Sequence, residues 1–356
     1  MVSTMPVVPN PAPRFPADRR ALGIGILGAG KIAQSAHLPA YEQQGLRVAG
    51  VWSRHSETTA TVRDRFPFVG RVYDSAEELL EDPDVDVVDL AMGPEDRDVW
   101  LRRAIGAGKH VLAQKPLSFD LDALLPVLDE ADAAGVRVAV NQNARWAPPW
   151  RVATLLLEQG AVGDVIGVTP LHDKPLPPLA GTPFDEIPHM LISDYLVHWI
   201  DITRCWLEGN TVLTVRATDH RTTGQPEQAL NPWSATLQVD TGQGAGALLR
   251  IVGNVQTATP GCPFWIHGTE GTIRGSLLGR DFLELDAGGE VSRFPLLGGW
   301  FVDGFAGTMG ELMCAIDEDR QPSNSARHNL ATLRLVLAAR ESAEHDGVPV
   351  ALEEPL

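Results

Sequence analysis

Cysteine is scarce. The 356-residue chain has three, Cys205, Cys262 and Cys314, odd in number and far apart. That excludes a disulfide framework and the paired spacing of a metal site, and it points to a reducing compartment with no metal bound. Basic residues are also short: 29 Lys and Arg stand against 46 Asp and Glu, a formal net charge of -17. Nucleic acid and anionic membrane both call for a basic surface, so neither is an expected partner. Small substrates are unconstrained, because local charge can oppose the global sign. No apolar run reaches the length that spans a bilayer, and the opening "MVSTMPVVPNPAPRFPADRR" lacks the apolar core of a secretory signal. These absences describe a soluble, cytoplasmic protein.

What is present is an ordinary globular composition, 44% hydrophobic and 21% charged, on a chain long enough for two domains. The proline-dense residues 1–20 read as a flexible tail. From there to Asn141, short apolar strands alternate with helices: strands at 22–27, 46–52, 71–73, 85–92, 110–112 and 136–140. Gly45, Gly108 and Gly135 fall just past helix ends, where a left-handed cap residue is wanted. This alternation predicts α/β architecture, a doubly wound parallel sheet over 21–141. Past 142 the pattern changes. A helix near 149–158 and a strand near 165–170 lead to a proline-rich loop, then to a helix from Leu191 to Leu207. Six alternating extended segments and two final helices follow. Residues 142–356 therefore read as an α+β domain with an open, mostly antiparallel sheet that binds substrate and forms the oligomer interface.

"ALGIGILGAGKIA" (21–33) fits G-x-G-x-x-G in two frames. The first glycine must turn the chain out of a strand, the second must let backbone approach a pyrophosphate, and the third position must be small to pack in the first helical turn. Residues 22–27 read as a buried strand, so the working frame is Gly28, Gly30 and Ala33. The loop then lies in the first strand-to-helix turn, the context a dinucleotide site requires. Ala29, Lys31 and Ile32 complete the expected contacts at the helix start. After the second strand no carboxylate is available for a ribose. Ser53 and Arg54 can instead hold a 2′-phosphate, which favours NADP, with NAD possible.

Two further stretches can carry chemistry. "HVLAQKPLSFD" runs the fifth strand into Gln114-Lys115-Pro116, and the carboxyl end of a parallel strand faces the ligand crevice. Pro116 holds the lysine backbone in extended geometry. In "LISDYLVHWIDI", regular helical spacing puts Asp194, His198 and Asp201 on one face. A carboxylate one turn from a histidine can orient it as a base, while Asp201 reads as structural and Ser193 as a candidate cap. Asn143, Arg145 and Trp146, with Trp150 and Trp199, are candidate substrate contacts, the tryptophans as faces for a sugar ring. Loop anchoring and core packing are their bland alternatives.

Taken together, Gly28-Ala29-Gly30 with "AHLPAY", Gln114-Lys115-Pro116, "NQNARWAPPW", "SDYLVHWID" and "RQPSNSARHNLATLRLVLAARESAE" resemble the glucose–fructose oxidoreductase, inositol dehydrogenase and MocA (Gfo/Idh/MocA) family over residues 21 to 352. The resemblance implies a Rossmann domain followed by an open-sheet domain. It also implies a pyridine-nucleotide oxidoreductase acting on sugars, cyclitols or related polyols, as a homodimer or homotetramer. Lys115 matches the lysine of the family's Glu-Lys-Pro motif, and Asp194 and His198 match its carboxylate–histidine pair. Two departures stand out. Gln114 replaces the glutamate, and Ala91-Met92-Gly93-Pro94 with Asp98 replaces the common Ala-Thr-Pro and its following histidine. Gly93, Pro94 and Gln114 are expected to border the nicotinamide. Two other functions share the fold: glycoside cleavage through transient oxidation by tightly held NAD, and a non-enzymatic nucleotide sensor. Retained Lys115, Asp194 and His198 argue against the sensor.

Overall fold

The computed structural model describes residues 7–355, and their chain contacts divide into two units, one of 12–146 with 298–330 and one of 7–11, 147–297 and 331–355. The first unit begins with β1 (Gly23–Leu27), α1 (Leu38–Gln44), β2 (Arg47–Trp52), α2 (Ser56–Arg65), β3 (Arg71–Val72) and α3 (Ala76–Glu81). It continues through β4 (Val87–Leu90), α4 (Pro94–Gly106), β5 (His110–Ala113), α5 (Leu121–Ala133) and β6 (Val138–Val140). The six strands pair in parallel in the order β3-β2-β1-β4-β5-β6, the doubly wound arrangement expected. β1 and β4 are buried along their whole length, as strands covered by helices on both faces must be. Gly45, Gly108 and Gly135 take φ of 66°, 70° and 68°, the left-handed caps anticipated.

The second unit contains α6 (Pro148–Glu158), β7 (Val165–His172), α7 (Val197–Trp206), β8 (Thr211–His220), β9 (Ser234–Thr241) and β10 (Gly246–Val252). β11 (Pro263–Gly268), β12 (Gly271–Ser276), β13 (Phe282–Ala287) and β14 (Glu290–Pro295) follow. In chain order come α8 (Trp300–Asp317), α9 (Ala326–Glu344) and finally β15 (Val350–Pro355). The nine strands run β14-β13-β12-β11-β7-β10-β9-β8-β15. All neighbours are antiparallel except β10 with β7. The edge strands β14 and β15 were not anticipated. "EVSRFP" presents one main-chain edge to a neighbour and buries too little apolar surface to leave a periodic signal.

Two differences from the sequence expectation matter for the site. The compact unit that holds the parallel sheet also takes in residues 298–330. α8 completes it, placing Phe305, Met309 and Met313 in one cluster with Ile24, Ile26 and Leu38. Glycines let that helix come close: Gly307 lies against the Trp146 ring, and Gly310 against Phe15. Residues 1–6 of the expected flexible tail lie outside the described residues, but from Ala12 the segment belongs to this unit and Phe15 packs on its core. Second, the helix expected over 191–207 is interrupted. Residues Leu191–Tyr195 form a widened turn in which the Leu196 amide reaches back five residues to the Leu191 carbonyl at 2.8 Å, and regular helix starts only at Val197. Among the described residues no helix is long and apolar enough to cross a membrane.

Candidate active site

In the dinucleotide unit, β1 leads directly into Gly28, whose φ is 96° and whose amide donates to the Trp52 carbonyl at 2.9 Å. A Cβ there would lie 3.0 Å from the Ala91 carbonyl and 3.1 Å from Met92 Cβ. Gly28 is therefore a backbone requirement. Gly30 differs: a Cβ built on it would meet no protein atom within 4 Å. Its lack of a side chain leaves a cradle open rather than avoiding a clash. Helical residues begin at Lys31, so first-turn amides follow the cradle directly. Ala33, in the third motif position, is fully buried. The Gln34 carboxamide closes the loop by donating to the Ala29 carbonyl at 2.9 Å. Lys31 is exposed, and Ile32 is half-buried against the core. These features fit a dinucleotide pyrophosphate.

At the end of β2, Ser53 is half-buried and Arg54 exposed. The Arg54 guanidinium donates to Asp96 in the first turn of α4, with side-chain exposures of 69% and 47%. Trp52 and Trp100 lie with ring centroids 5.8 Å apart at the same end of the sheet. Gly93 caps α4 and Pro94 occupies its first turn. The Pro94 side chain lies outside the described residues.

β5 delivers Gln114 and Lys115 to the carboxyl edge of the sheet, and the Lys115–Pro116 peptide bond is cis. One residue that sequence reasoning missed organises this edge. Arg97 is 1% exposed, donates to the Met92 carbonyl at 2.8 Å, and donates to the Pro116 carbonyl. It thereby ties the loop after β4 to the loop after β5. Its only sequence signal was a charged residue in the first turns of a helix, where a cation is unfavourable to the helix dipole. Burial, opposed by the Ser118 hydroxyl and Arg97, raises the nearby Asp98 carboxyl above its ordinary value.

Asn143 and Trp146 come next. Both belong to this unit and both are buried. Asn143 Oδ1 accepts from the Trp300 indole at 2.7 Å, and Trp146 is packed under Gly307. Arg145 donates to the Ser323 carbonyl at 3.0 Å and to His328 Nδ1 at 3.2 Å. These side chains fasten the 143–146 turn to α8 and the segment after it.

In the second unit, Asp194 lies in the widened turn and His198 in the first turn of α7, with exposures of 6% and 8%. The one-face register of a regular helix is thus broken between them. It holds from His198 to Asp201, which turns inward and accepts from Thr332 at 2.7 Å, the structural role expected of it. Ser193 does not cap a helix, since its hydroxyl donates to the Pro188 carbonyl at 2.8 Å. Tyr195 and Trp199 stack at 6.2 Å, and His172 from β7 packs edge-on to both. Trp150 meets Trp199 and Trp206 edge-on. Trp150 and Trp199 are therefore core residues rather than sugar platforms. Burial, then the Lys174 charge, lowers His172 to about 4. Asp185, also missed, is fully buried and accepts from the Leu230 and Asn231 amides at 2.9 and 3.1 Å, pinning the proline-rich loop.

Comparison with known proteins agrees with this architecture. Residues 22–142 match the description "Oxidoreductase family, NAD-binding Rossmann fold" and residues 150–274 the GFO/IDH/MocA C-terminal domain. A 1,5-anhydro-D-fructose reductase from Ensifer adhaerens is 30% identical over 75% of this chain and 78% of its own length. An oxidoreductase from Rhizobium meliloti is 32% identical over 40% of this chain, and the match spans only 42% of that relative. The crystal structure of an Agrobacterium radiobacter oxidoreductase, in complex with NAD+, L-tartaric acid and magnesium, superposes with a TM-score of 0.82 at 23% identity. That match covers 93% of this chain and 98% of the other, and shows the shared fold. The chain belongs to the Gfo/Idh/MocA family of oxidoreductases, with an NAD-binding Rossmann domain.

Proposed function

We propose that the protein transfers a hydride between a nicotinamide dinucleotide and a secondary carbinol carbon of a sugar, cyclitol or related polyol. The observation that carries this reading is the Gly28–Gly30 cradle on the same sheet edge as Lys115. A dinucleotide fits where Gly30 leaves room, and Lys115 stands at the end of β5 where a reacting group is wanted.

The bound dinucleotide supplies the hydride acceptor or donor. The protein supplies the rest. In the oxidative direction His198 takes the hydroxyl proton, with Asp194 as its orienting carboxylate. The Lys115 ammonium hydrogen-bonds the carbinol oxygen and stabilises the negative charge that develops there. The carbon loses a hydride, the oxygen a proton, and a carbonyl remains. The family relative that reduces 1,5-anhydro-D-fructose acts on a sugar-derived compound, which supports the substrate class.

Ser53 and Arg54 favour NADP in this proposal, with NAD also accepted. The exposed Asp96 partner is a weak competitor that a 2′-phosphate can replace, since exposed ion pairs contribute only about 0–1 kcal/mol. The second unit's nine-stranded sheet is the proposed surface for a homodimer or homotetramer, and the cytoplasm the proposed location. The test is a panel of monosaccharides, cyclitols and sugar lactones, each offered with NAD+ and NADP+ and in reverse, followed by nicotinamide absorbance. Turnover of a polyol with either cofactor supports the reading, and a purified, folded protein that binds NAD(P) yet turns over none overturns it.

A further inference from the structure

"AHLPAY" (36–41) carries two polar side chains that the proposed reaction does not use, and both meet a carboxylate inside the dinucleotide unit. Asp89 stands mid-strand in β4, in register with Ile26 of β1 and Leu112 of β5, and is fully buried. An ionised carboxylate in such apolar surroundings is strongly unfavourable unless it is hydrogen-bonded. Asp89 Oδ2 accepts from His37 Nδ1 and from the Tyr41 hydroxyl, each at 2.6 Å. Burial and the Asp89 charge push the Tyr41 phenol well above its ordinary range, which keeps it a donor. The other imidazole nitrogen, His37 Nε2, lies 2.6 Å from the Gln114 carboxamide nitrogen. Phe305 seats the ring edge-on at 4.7 Å.

The proton arrangement follows from the chemistry of these groups. A carboxylate only accepts and a carboxamide nitrogen only donates. His37 must therefore carry its proton on Nδ1, toward Asp89, and offer a lone pair on Nε2 to Gln114. With its nitrogen turned inward, the carboxamide keeps its oxygen as the outward acceptor at the end of β5, next in sequence to Lys115. A glutamate at 114 has no donor to give. Opposite an ionised Asp89, it would require an imidazolium between two carboxylates. Asp89 and Gln114 are thus a matched pair across His37.

We propose that Asp89 and His37 are positioning residues for the Lys115 edge: Asp89 sets the His37 tautomer, and the tautomer sets which end of the Gln114 carboxamide faces the ligand crevice. The catalytic consequence rests on the function proposed above, whereas the tautomer does not depend on it.

The test combines nitrogen-15 imidazole spectra with a double-mutant cycle. In the wild-type protein at pH 7, the His37 resonance, identified by its loss in His37→Gln, should show a protonated Nδ1 and a bare Nε2. An Nε2–H form or an imidazolium overturns the proposal without any variant needing to fold. In Asp89→Leu, the Tyr41 hydroxyl becomes a donor to Nδ1. The proton should move to Nε2 and kcat should fall about tenfold. Asp89→Leu/Gln114→Glu supplies a carboxylate that accepts from Nε2–H with one oxygen and keeps the other as the outward acceptor, and should recover kcat to within about threefold of wild type, the coupling expected of residues in one network. A purely structural loss at position 89 would not be rescued from position 114. Failure of that rescue, with both variants folded and binding NAD(P), overturns the proposal. Should no polyol turn over, the functional reading falls and the nitrogen spectra still decide this inference.

Discussion

The Arg97 guanidinium donates to the Pro116 carbonyl, so a buried cation on α4 grips the peptide beside Lys115. Arg97→Leu removes that bond and the one to the Met92 carbonyl. It leaves the buried Pro116 carbonyl without this donor, at about 1–3 kcal/mol if unpaired, and the half-buried Met92 carbonyl at less. Denaturant unfolding should show the loss, and kcat should fall with it. Arg97→Lys should recover only part, because an ammonium cannot reproduce the planar fork. An unchanged midpoint and kcat in Arg97→Leu would remove the role given to this residue.

Gly28→Ala and Gly30→Ala should fail in opposite ways. At Gly28 the left-handed φ and the close Ala91 carbonyl penalise any side chain, so stability drops by about 1–3 kcal/mol. At Gly30 the added methyl meets no protein atom within 4 Å. Its melting temperature should stay near wild type while dinucleotide affinity weakens at least about tenfold, about 1.4 kcal/mol. Calorimetric titration and thermal unfolding of both variants separate the two. Wild-type affinity in Gly30→Ala would mean that no pyrophosphate lies there.

Lys115→Ala and His198→Ala should each lower kcat by about 10²–10⁴, the usual cost of losing a general acid–base or charge-stabilising group. Fluorescence titration should find NAD(P)H affinity near normal in both, since neither forms the pyrophosphate cradle. Near-wild-type turnover in either variant would contradict its assignment.

Removing the Arg54 charge should tell the cofactors apart. Arg54→Ala is expected to reduce kcat/KM for NADP about 10–100-fold, in line with losing a charge-assisted phosphate contact, and to leave NAD almost unchanged. Asp96→Asn should do the reverse by releasing the guanidinium. Equal effects on both cofactors would place the ribose elsewhere.

His172 makes a pH prediction. Its folded-state value is held at about 4 against an ordinary 6.5, through burial first and Lys174 second. Above pH 6.5 the ring is neutral in both folded and unfolded chains, and the full stability is present. Between 6.5 and 4 only the unfolded chain takes up the proton, so stability is lost as pH falls, by about 2 kcal/mol from pH 7 to pH 5. His172→Phe lacks this proton uptake and should lose less over the same interval. Equal losses in the two proteins would show that His172 is not held neutral.

The parallel sheet was legible because its strands are short apolar runs separated by glycine-capped helices, a local signal. The places of the glycine loop and of Lys115 just past strand ends followed from the same signal. Partner choice was not legible. Asn143 and Trp146 sit in the stretch where substrate contacts were expected, but what they touch is α8, more than 150 residues onward. The Asp89–His37 pair spans 52 residues, and nothing local marks either as a partner. The break at Leu196 escaped because apolar spacing in "LISDYLVHWI" reads the same whether one turn holds four residues or five.

α8 has a consequence for how the molecule is made. The helix that seals the nucleotide-binding half begins at residue 300 and brings Phe305, Met309 and Met313 to a core whose other members were translated long before. During synthesis the Rossmann strands must wait, with that apolar patch uncovered, while strands β7 to β14 leave the ribosome. An N-terminal fragment stopped near residue 146 would keep that patch bare permanently, and its solubility should depend on supplying residues 298–330 in trans or by permutation.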